Sequence, residues 1–361
     1  MKTFTVFGFR RAWCAVLLGW ACVSPAFAET DLPAPKVHFY GLVDVWGGAQ
    51  KFPGGNSESL ISDGGMSTSY WGVGASEQLA EGYKAVVTLE GFFRPTDGAY
   101  GRFDGDTFLS RSAYAGIESP YGSLYIGRVT TPLFISTILF NPFVDSYGFS
   151  PMIKQTYLGV GSYPSYATDQ GVAGDSGWSN ALQYQSPEFH GLKGNVTYAS
   201  GNSSEHHGAK KVAAQLMYAH GAFAATGVYQ YINYNGQPGD LGQIVPGWTS
   251  QSVAQLGASY DWKVVKLFAQ YMHTHNQANQ GHWNVNTGQV GVSVPAGKGS
   301  VLASYAYSND SGGMGQTRRT WSLGYDYPFT KYVDAYAAYM NDKISDQSGG
   351  YTVGVGLRVK F

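Results

Sequence analysis

The sequence predicts an all-β protein, a closed transmembrane antiparallel β-barrel of about 16 strands. Three observations carry that prediction. Apolar residues recur at every second position in segments of about ten. Connections alternate between short and long. No stretch after Ala28 holds the ~18 consecutive apolar residues that a spanning helix needs. Composition narrows the alternatives. Only 13 % of the 361 residues are charged, 15 % are aromatic, and mean hydropathy is −0.18. Low charge with many aromatics excludes a disordered chain. A formal charge of −1 excludes the basic excess of a nucleic-acid binder.

Residues 1–28 read as a cleaved secretory leader, followed by one domain over 29–361. Lys2, Arg10 and Arg11 form a positive start, residues 12–23 an apolar stretch, and Ala26-Phe27-Ala28 a small-x-small cleavage site. Cleavage leaves 333 residues. It removes those three bases, so the formal charge falls from −1 to −4. Cys14 and Cys22 both leave with the leader, so no disulfide is expected.

The alternation is clear at several places along the chain. In 37–46, Val37, Phe39, Val43 and Val45 alternate with His38, Tyr40 and Asp44. In 84–90, Ala85, Val87 and Leu89 alternate with Lys84, Thr88 and Glu90. Val333, Ala335 and Ala337 face away from Asp334 and Tyr336. At the end, Tyr351, Val353, Val355, Leu357, Val359 and Phe361 share one face, and Thr352, Gly354, Gly356, Arg358 and Lys360 the other. Such a sheet fits lipid outside and water inside, and it must close because a bilayer leaves no backbone polar group unpaired.

Short connections fall at 118–122, 187–191, 261–263, 295–299 and 328–332. Longer ones, rich in Gly, Ser, Asn and Asp, fall at 47–67, 95–107, 235–250, 276–282, 309–316 and 342–350, and one spans 131–177. About sixteen strands between these breaks leave ~21 residues per strand and connection, a size that encloses a wet lumen. A soluble sandwich or propeller also alternates. Against it stand the aromatic count, the terminal Phe361 and the lack of a fixed repeat.

Across the whole span after the leader the chain resembles the Gram-negative general (trimeric) porins of neisserial and burkholderial type. Phe39-Tyr40-Gly41-Leu42-Val43-Asp44 resembles that family's first strand. Trp71-Gly72-Val73-Gly74-Ala75-Ser76-Glu77-Gln78-Leu79 with Gly82-Tyr83-Lys84-Ala85 resembles its second hairpin. The most specific match is Phe108-Leu109-Ser110-Arg111-Ser112-Ala113-Tyr114-Ala115-Gly116 followed by Tyr121-Gly122-Ser123-Leu124-Tyr125-Ile126-Gly127-Arg128. Asn180-Ala181-Leu182-Gln183-Tyr184-Gln185-Ser186-Pro187, Gly324-Tyr325-Asp326-Tyr327 and the closing Gly356-Leu357-Arg358-Val359-Lys360-Phe361 extend it.

The resemblance implies an outer-membrane channel for passive diffusion of small hydrophilic solutes. It implies a homotrimer that contacts outer-membrane lipid and lipopolysaccharide. It makes Phe361 the signal read by the barrel-insertion machinery. It also implies that the long third external loop, 131–177, folds into the lumen. That loop carries Asp145, Asp169 and Asp175 and one base, Lys154. Wall charges expected to oppose it are Lys84, Arg111 and Arg128, with Arg94 and Arg102 nearer the rim, and Glu90 on the inward parity. Opposed charges in a narrow gap set selectivity. One position departs from the family: Tyr70 stands where Arg is usual. That weakens the basic wall and tilts the expectation to weak or cation-leaning selectivity.

Other chemistries leave thinner traces. Phe39, Trp71, Tyr114, Tyr198, Tyr271, Trp321, Tyr325, Phe329 and Phe361 are expected in interfacial girdles. His273 and His275, with His282, could ligate a metal, but no Cys or carboxylate cluster completes a set, and no metal or cofactor is expected. A substrate-selective channel for a sugar or an anion is an alternative, with Tyr147, Phe149, Tyr157, Tyr163 and Tyr166 as a stacking surface. A barrel hydrolase is the remaining one, but the Gly-x-Ser-x-Gly motif is missing and no enzyme is expected.

Overall fold

The computed structural model describes residues 35–158, 175–200, 210–234, 247–312 and 315–361. The leader lies outside them. The strands are β1 (Lys36–Lys51), β2 (Ser57–Asp63), β3 (Tyr70–Ala80), β4 (Tyr83–Phe92), β5 (Ser112–Ser119), β6 (Gly122–Thr130), β7 (Gly177–Gln185), β8 (Leu192–Ala199) and β9 (Lys211–His220). They continue with β10 (Phe223–Asn233), β11 (Trp248–Asp261), β12 (Lys266–Ala278), β13 (Gly281–Ala296), β14 (Gly299–Ser311), β15 (Thr317–Pro328), β16 (Val333–Ile344) and β17 (Gly350–Lys360). Two short helices, α1 (Pro132–Leu139) and α2 (Pro151–Thr156), lie between β6 and β7.

From β3 onward each strand pairs antiparallel with the next, and β17 returns to β1 from Leu42↔Lys360 to Lys51↔Tyr351. The sheet is a closed cylinder, so no strand presents a free edge to lipid. Seventeen segments make sixteen strand positions, because β2 and β3 lie end to end on one edge of β1. β2 pairs with residues 45–51 of β1 and β3 with residues 36–42. Residues 64–69 leave the ladder between them.

The faces follow the alternation. Leu256 and Val355 are each 64 % exposed to the outside, whereas Gln255 and Thr352 on the opposite faces of the same strands are 2 % exposed. Polar groups inside and apolar groups outside invert the plan of a soluble domain, as hydrocarbon surroundings demand. One aromatic departs from expectation. Tyr114 shares its face with the inward Ser112 and packs edge-on against Tyr125 at 5.0 Å. It lines the lumen rather than a girdle. Phe39, Tyr198, Tyr271, Trp321, Phe329 and Phe361 are exposed on the outside.

Two expected loops are mostly strand. Residues 276–282 form a tight turn, since β12 and β13 stay paired to Ala278↔Gly281. Much of 47–67 belongs to β1 and β2. Gly and Ser lower strand propensity, but a neighbour on each side of β1 supplies the ladder bonds that outweigh it.

The third external loop folds inward. Its helices have readable starts: Thr131 accepts a hydrogen bond from the Phe134 amide at 3.2 Å, and Ser150 from the Ile153 amide at 3.3 Å, each followed by Pro at the first helical position. α1 lies against β8–β11 and α2 against β13–β15. Leu133, Phe143, Phe149, Met152 and Ile153 are fully buried against wall residues such as Val253, Met272 and Leu302. Each such side chain contributes roughly 2 kcal/mol to holding the loop on the wall.

Inward-facing glycines on every second strand make room for that contact. A Cβ on Gly257 would lie 3.0 Å from the Phe140 ring, on Gly291 2.6 Å from Pro142, and on Gly324 3.1 Å from the Phe143 ring.

Candidate pore constriction

Four inward positions near the start of the chain converge on one charge pair. The Tyr40 hydroxyl of β1 donates to Glu90 Oε1 of β4 at 2.8 Å. Arg111, just before β5, forms an ion pair with Glu90, and its guanidinium lies 4.1 Å from the centre of the Tyr70 ring of β3. Tyr70 thus supports this arginine as an aromatic platform.

The loop brings Asp145 to the same region. Its Oδ1 accepts a hydrogen bond from Ser67 Oγ at 2.9 Å, and its carboxylate is drawn electrostatically by Arg111 and Arg358. Burial pushes the Asp145 carboxyl above the ordinary carboxylate range, while the Ser67 bond and the two guanidiniums pull against it. Arg358 of β17 donates to Asp334 at 2.9 Å, to Asp326 at 3.0 Å and to Ser67 Oγ at 3.3 Å. Asp44 of β1 is fully buried and accepts from the backbone amides of Met66 and Ser67 at 2.9 and 2.7 Å and from the Tyr336 hydroxyl.

A second cluster fastens the far end of the loop. Asp175 bridges Arg102 and Arg128, each at 2.9 Å, and Arg102 also holds Asp106. Burial opposes ionisation of Asp175, but the two guanidiniums outweigh it and hold the carboxyl well below the usual range. A third pair is buried in the wall. Arg318 of β15 meets Asp342 of β16 through two bonds at 2.9 and 2.6 Å, Thr320 adds a third at 2.8 Å, and Arg318 also reaches the Lys154 carbonyl at 3.0 Å.

At the level of α1 the wall from β11 to β14 is neutral. Gln255 donates to Gln270 at 2.7 Å, Gln270 to Gln289 at 3.0 Å, and Gln289 to Ser304 at 3.0 Å. The same amides reach the Thr137 hydroxyl and the Thr137 and Phe140 carbonyls of the loop.

Glu90, Arg111 and Asp145 therefore gather in one place, and Arg128 with Asp175 in another. Lys84 does not join them. It faces inward but lies six residues from Glu90, about 20 Å along the strand, and pairs with Glu118 at 2.6 Å beside the short turn. Arg102 is part of the Asp175 clamp. Lys154 is only 6 % exposed, with its Nζ 5.0 Å from the Phe52 ring. Asp169 lies outside the described residues, as do Tyr163 and Tyr166. Phe149 and Tyr157 are packing residues, 0 and 1 % exposed, so they offer no stacking surface. His273 and His275 face outward and are bonded to Asn286 and Asn284 at 2.8 and 2.7 Å. Among the described residues no three potential ligands come together.

Sequence reasoning missed Ser67, the Arg318–Asp342 pair and the glutamine ladder. Only register shows which inward side chains of neighbouring strands meet, and Ser67 lies off the ladder altogether.

A family model described as Gram-negative porin matches residues 14–347. An outer membrane porin protein of Bordetella pertussis is 26 % identical, over 96 % of this chain and 98 % of its own length. An anion-selective porin from Comamonas acidovorans superposes with a TM-score of 0.74 at 21 % identity, over 91 % of this chain and all of that one. A trimer form of Vibrio cholerae OmpT superposes at 0.66 with 14 % identity, over 91 % of this chain and all of that one.

Proposed function

This chain belongs to the Gram-negative porins, and from that premise we propose that its narrowest passage runs past Asp145, Arg111, Glu90 and Arg358 and leans weakly toward cations. It is an outer-membrane protein that forms a water-filled channel for passive diffusion of small hydrophilic solutes and ions. The observation that carries the proposed selectivity is the pairing of the arginines. Arg111 already has Glu90, Arg318 has Asp342, Arg358 has Asp334 and Asp326, and Arg128 and Arg102 share Asp175 and Asp106. Asp145 stands outside any ion pair among the described residues, with a hydroxyl as its hydrogen-bond donor. The field beside Arg111 and Arg358 therefore has a small negative excess, which Lys154 offsets in part at neutral pH and which favours hydrated cations without excluding anions. Planar-bilayer reconstitution in a salt gradient tests this. A reversal potential of small cation-selective sign is expected, and a strong anion preference overturns the reading.

The channel acts without a catalytic step, so large ohmic conductance with no ester turnover is expected. The outward faces of β1 and β16 carry Gly47, Ala49, Ala335 and Ala337, small residues that let another barrel approach closely. A homotrimer through that face is supported by the trimer form of the Vibrio protein. Closures in threes in the single-channel record check it. Phe361 exchanges backbone bonds with Gly41 at 3.0 and 3.1 Å and lies 5.6 Å from the Phe39 ring. A terminal ring placed at the barrel seam suits the role of assembly signal for the insertion machinery, and outer-leaflet lipopolysaccharide suits the exposed aromatic girdle.

A further inference from the structure

Strand position two is interrupted where an unbroken strand would have sufficed. β2 and β3 both follow the same edge of β1, yet residues 64–69 leave that edge and turn into the lumen. The excursion is fastened on both sides. From the wall, Asp44 takes the Met66 and Ser67 amides, its carbonyl accepts the Gly64 amide at 3.0 Å, and its amide donates to Ser69 Oγ at 2.9 Å. From the loop, Ser146 donates to the Gly65 carbonyl and Asp145 accepts from Ser67. Met66 packs in one cluster with Trp46, Phe149 and Tyr336. The fit is close. A Cβ on Gly148 would lie 2.8 Å from the Gly65 carbonyl oxygen, and one on Gly65 would run into the Tyr336 hydroxyl.

We propose that this break in strand two is a clasp that sets the aperture and charge of the channel, with Ser67 the positioning residue that holds the Asp145 carboxylate between Arg111 and Arg358. The inference rests on the reading that Asp145 lines the constriction. Ser67 is suited to the task because it touches three elements at once: its amide is on Asp44 of β1, its hydroxyl on Asp145 of the loop, and Arg358 of β17 donates to that hydroxyl. A hydroxyl donor favours the ionised carboxylate, so it acts on the charge of Asp145 as well as on its place.

Reversal potentials measured across pH 3 to 8 test this for the full-length protein and for Ser67→Ala, Ser67→Thr, Asp145→Asn and the Ser67→Ala/Asp145→Asn pair. Around Asp145 stand Arg111 and Arg358, the Tyr70 phenol, Glu90 behind Arg111, Asp44 behind Ser67, and Asp326 and Asp334 behind Arg358. In the unaltered channel the cation preference fades as pH falls and Asp145 takes up a proton. Ser67→Ala moves that midpoint upward by roughly 1 pH unit, and Ser67→Thr restores it. In the Asp145→Asn background, Ser67→Ala leaves the reversal potential unchanged, as coupling through one carboxylate requires. Gly148→Ala pries the clasp open from the loop side without touching a charge and raises the frequency of voltage-driven closures. If Asp145→Asn shifts selectivity while Ser67→Ala keeps the original midpoint and Gly148→Ala the original closure rate, the clasp is overturned and the constriction stands. If Asp145→Asn shifts nothing, the constriction reading falls, and the clasp with it.

Discussion

The two sides of the lumen are built on different physics. From β11 to β14 the wall presents glutamine amides, Ser304 and glycines, and the loop seats on it with Thr137, Phe140, Pro142 and Phe143. From β15 through β17 to β6 it presents arginine–carboxylate pairs. The neutral side is a bearing surface. Its bonds are short-ranged, indifferent to salt, and strengthened by burial. The charged side keeps partly wet pairs whose field reaches into the passage and is screened by ions. The loop is thus anchored along α1 where its contacts do not bias solutes, and it meets charge at Asp145, at Asp175 and where Arg318 reaches the Lys154 carbonyl.

The largest expected effect breaks the exception on the charged side, the pair that is fully dry. Arg318→Ala leaves Asp342 buried among the groups that were arranged around an arginine, with side-chain exposures of 5 and 2 % for the pair. The barrel should lose about 3–5 kcal/mol, read as a lowered melting temperature of the detergent-folded protein. Breaking the bearing surface comes next. Gly291→Val places methyls where Pro142 sits, costs about 1–3 kcal/mol, and pushes the loop toward the axis. Single-channel conductance should fall, with no change in the sign of selectivity.

Asp145→Asn leaves stability nearly unchanged but shifts the permeability ratio toward anions by about two- to fivefold. The shift should shrink in high salt, whereas the effect of Gly291→Val should not. That contrast is the sharpest test of the division between the two walls.

The smallest effect concerns Lys154, whose helix sits across the divide. Burial is the main cause that lowers its pKa, to about 8; Arg318 lowers it too, and Asp342 pulls the other way. The ammonium is therefore charged at pH 7 and mostly neutral at pH 9. Its depressed value means that the fold carries a charge penalty below about pH 8, relieved as pH rises toward the ordinary lysine range. Cation preference should increase slightly between pH 7 and 9, and Lys154→Met should abolish that increment.

Much of this was legible in the chain. The alternation over 351–361 assigns each side chain of β17 to lipid or lumen, and the structure agrees at Val353, Val355, Leu357, Thr352 and Arg358. Thr131-Pro132 and Ser150-Pro151 are helix-start signals that period-two reasoning passed over. Tyr114 misleads because an aromatic near a strand end reads as a girdle, although its parity with Ser112 and Gly116 points inward. Lys84 misleads differently, since its face is right and its level is wrong.

What the sequence determined by itself is the pattern of faces, and with it a sealed barrel in a membrane. A two-residue period is local, and lipid admits one solution for such strands. What only the tertiary structure decided is level and meeting. Closure sets how far each strand slides past its neighbour, and that sliding places Ser67 beside Asp145, carries Arg318 to Asp342, and leaves Lys84 with Glu118. Stagger belongs to the whole ring of strands, and no single segment encodes it.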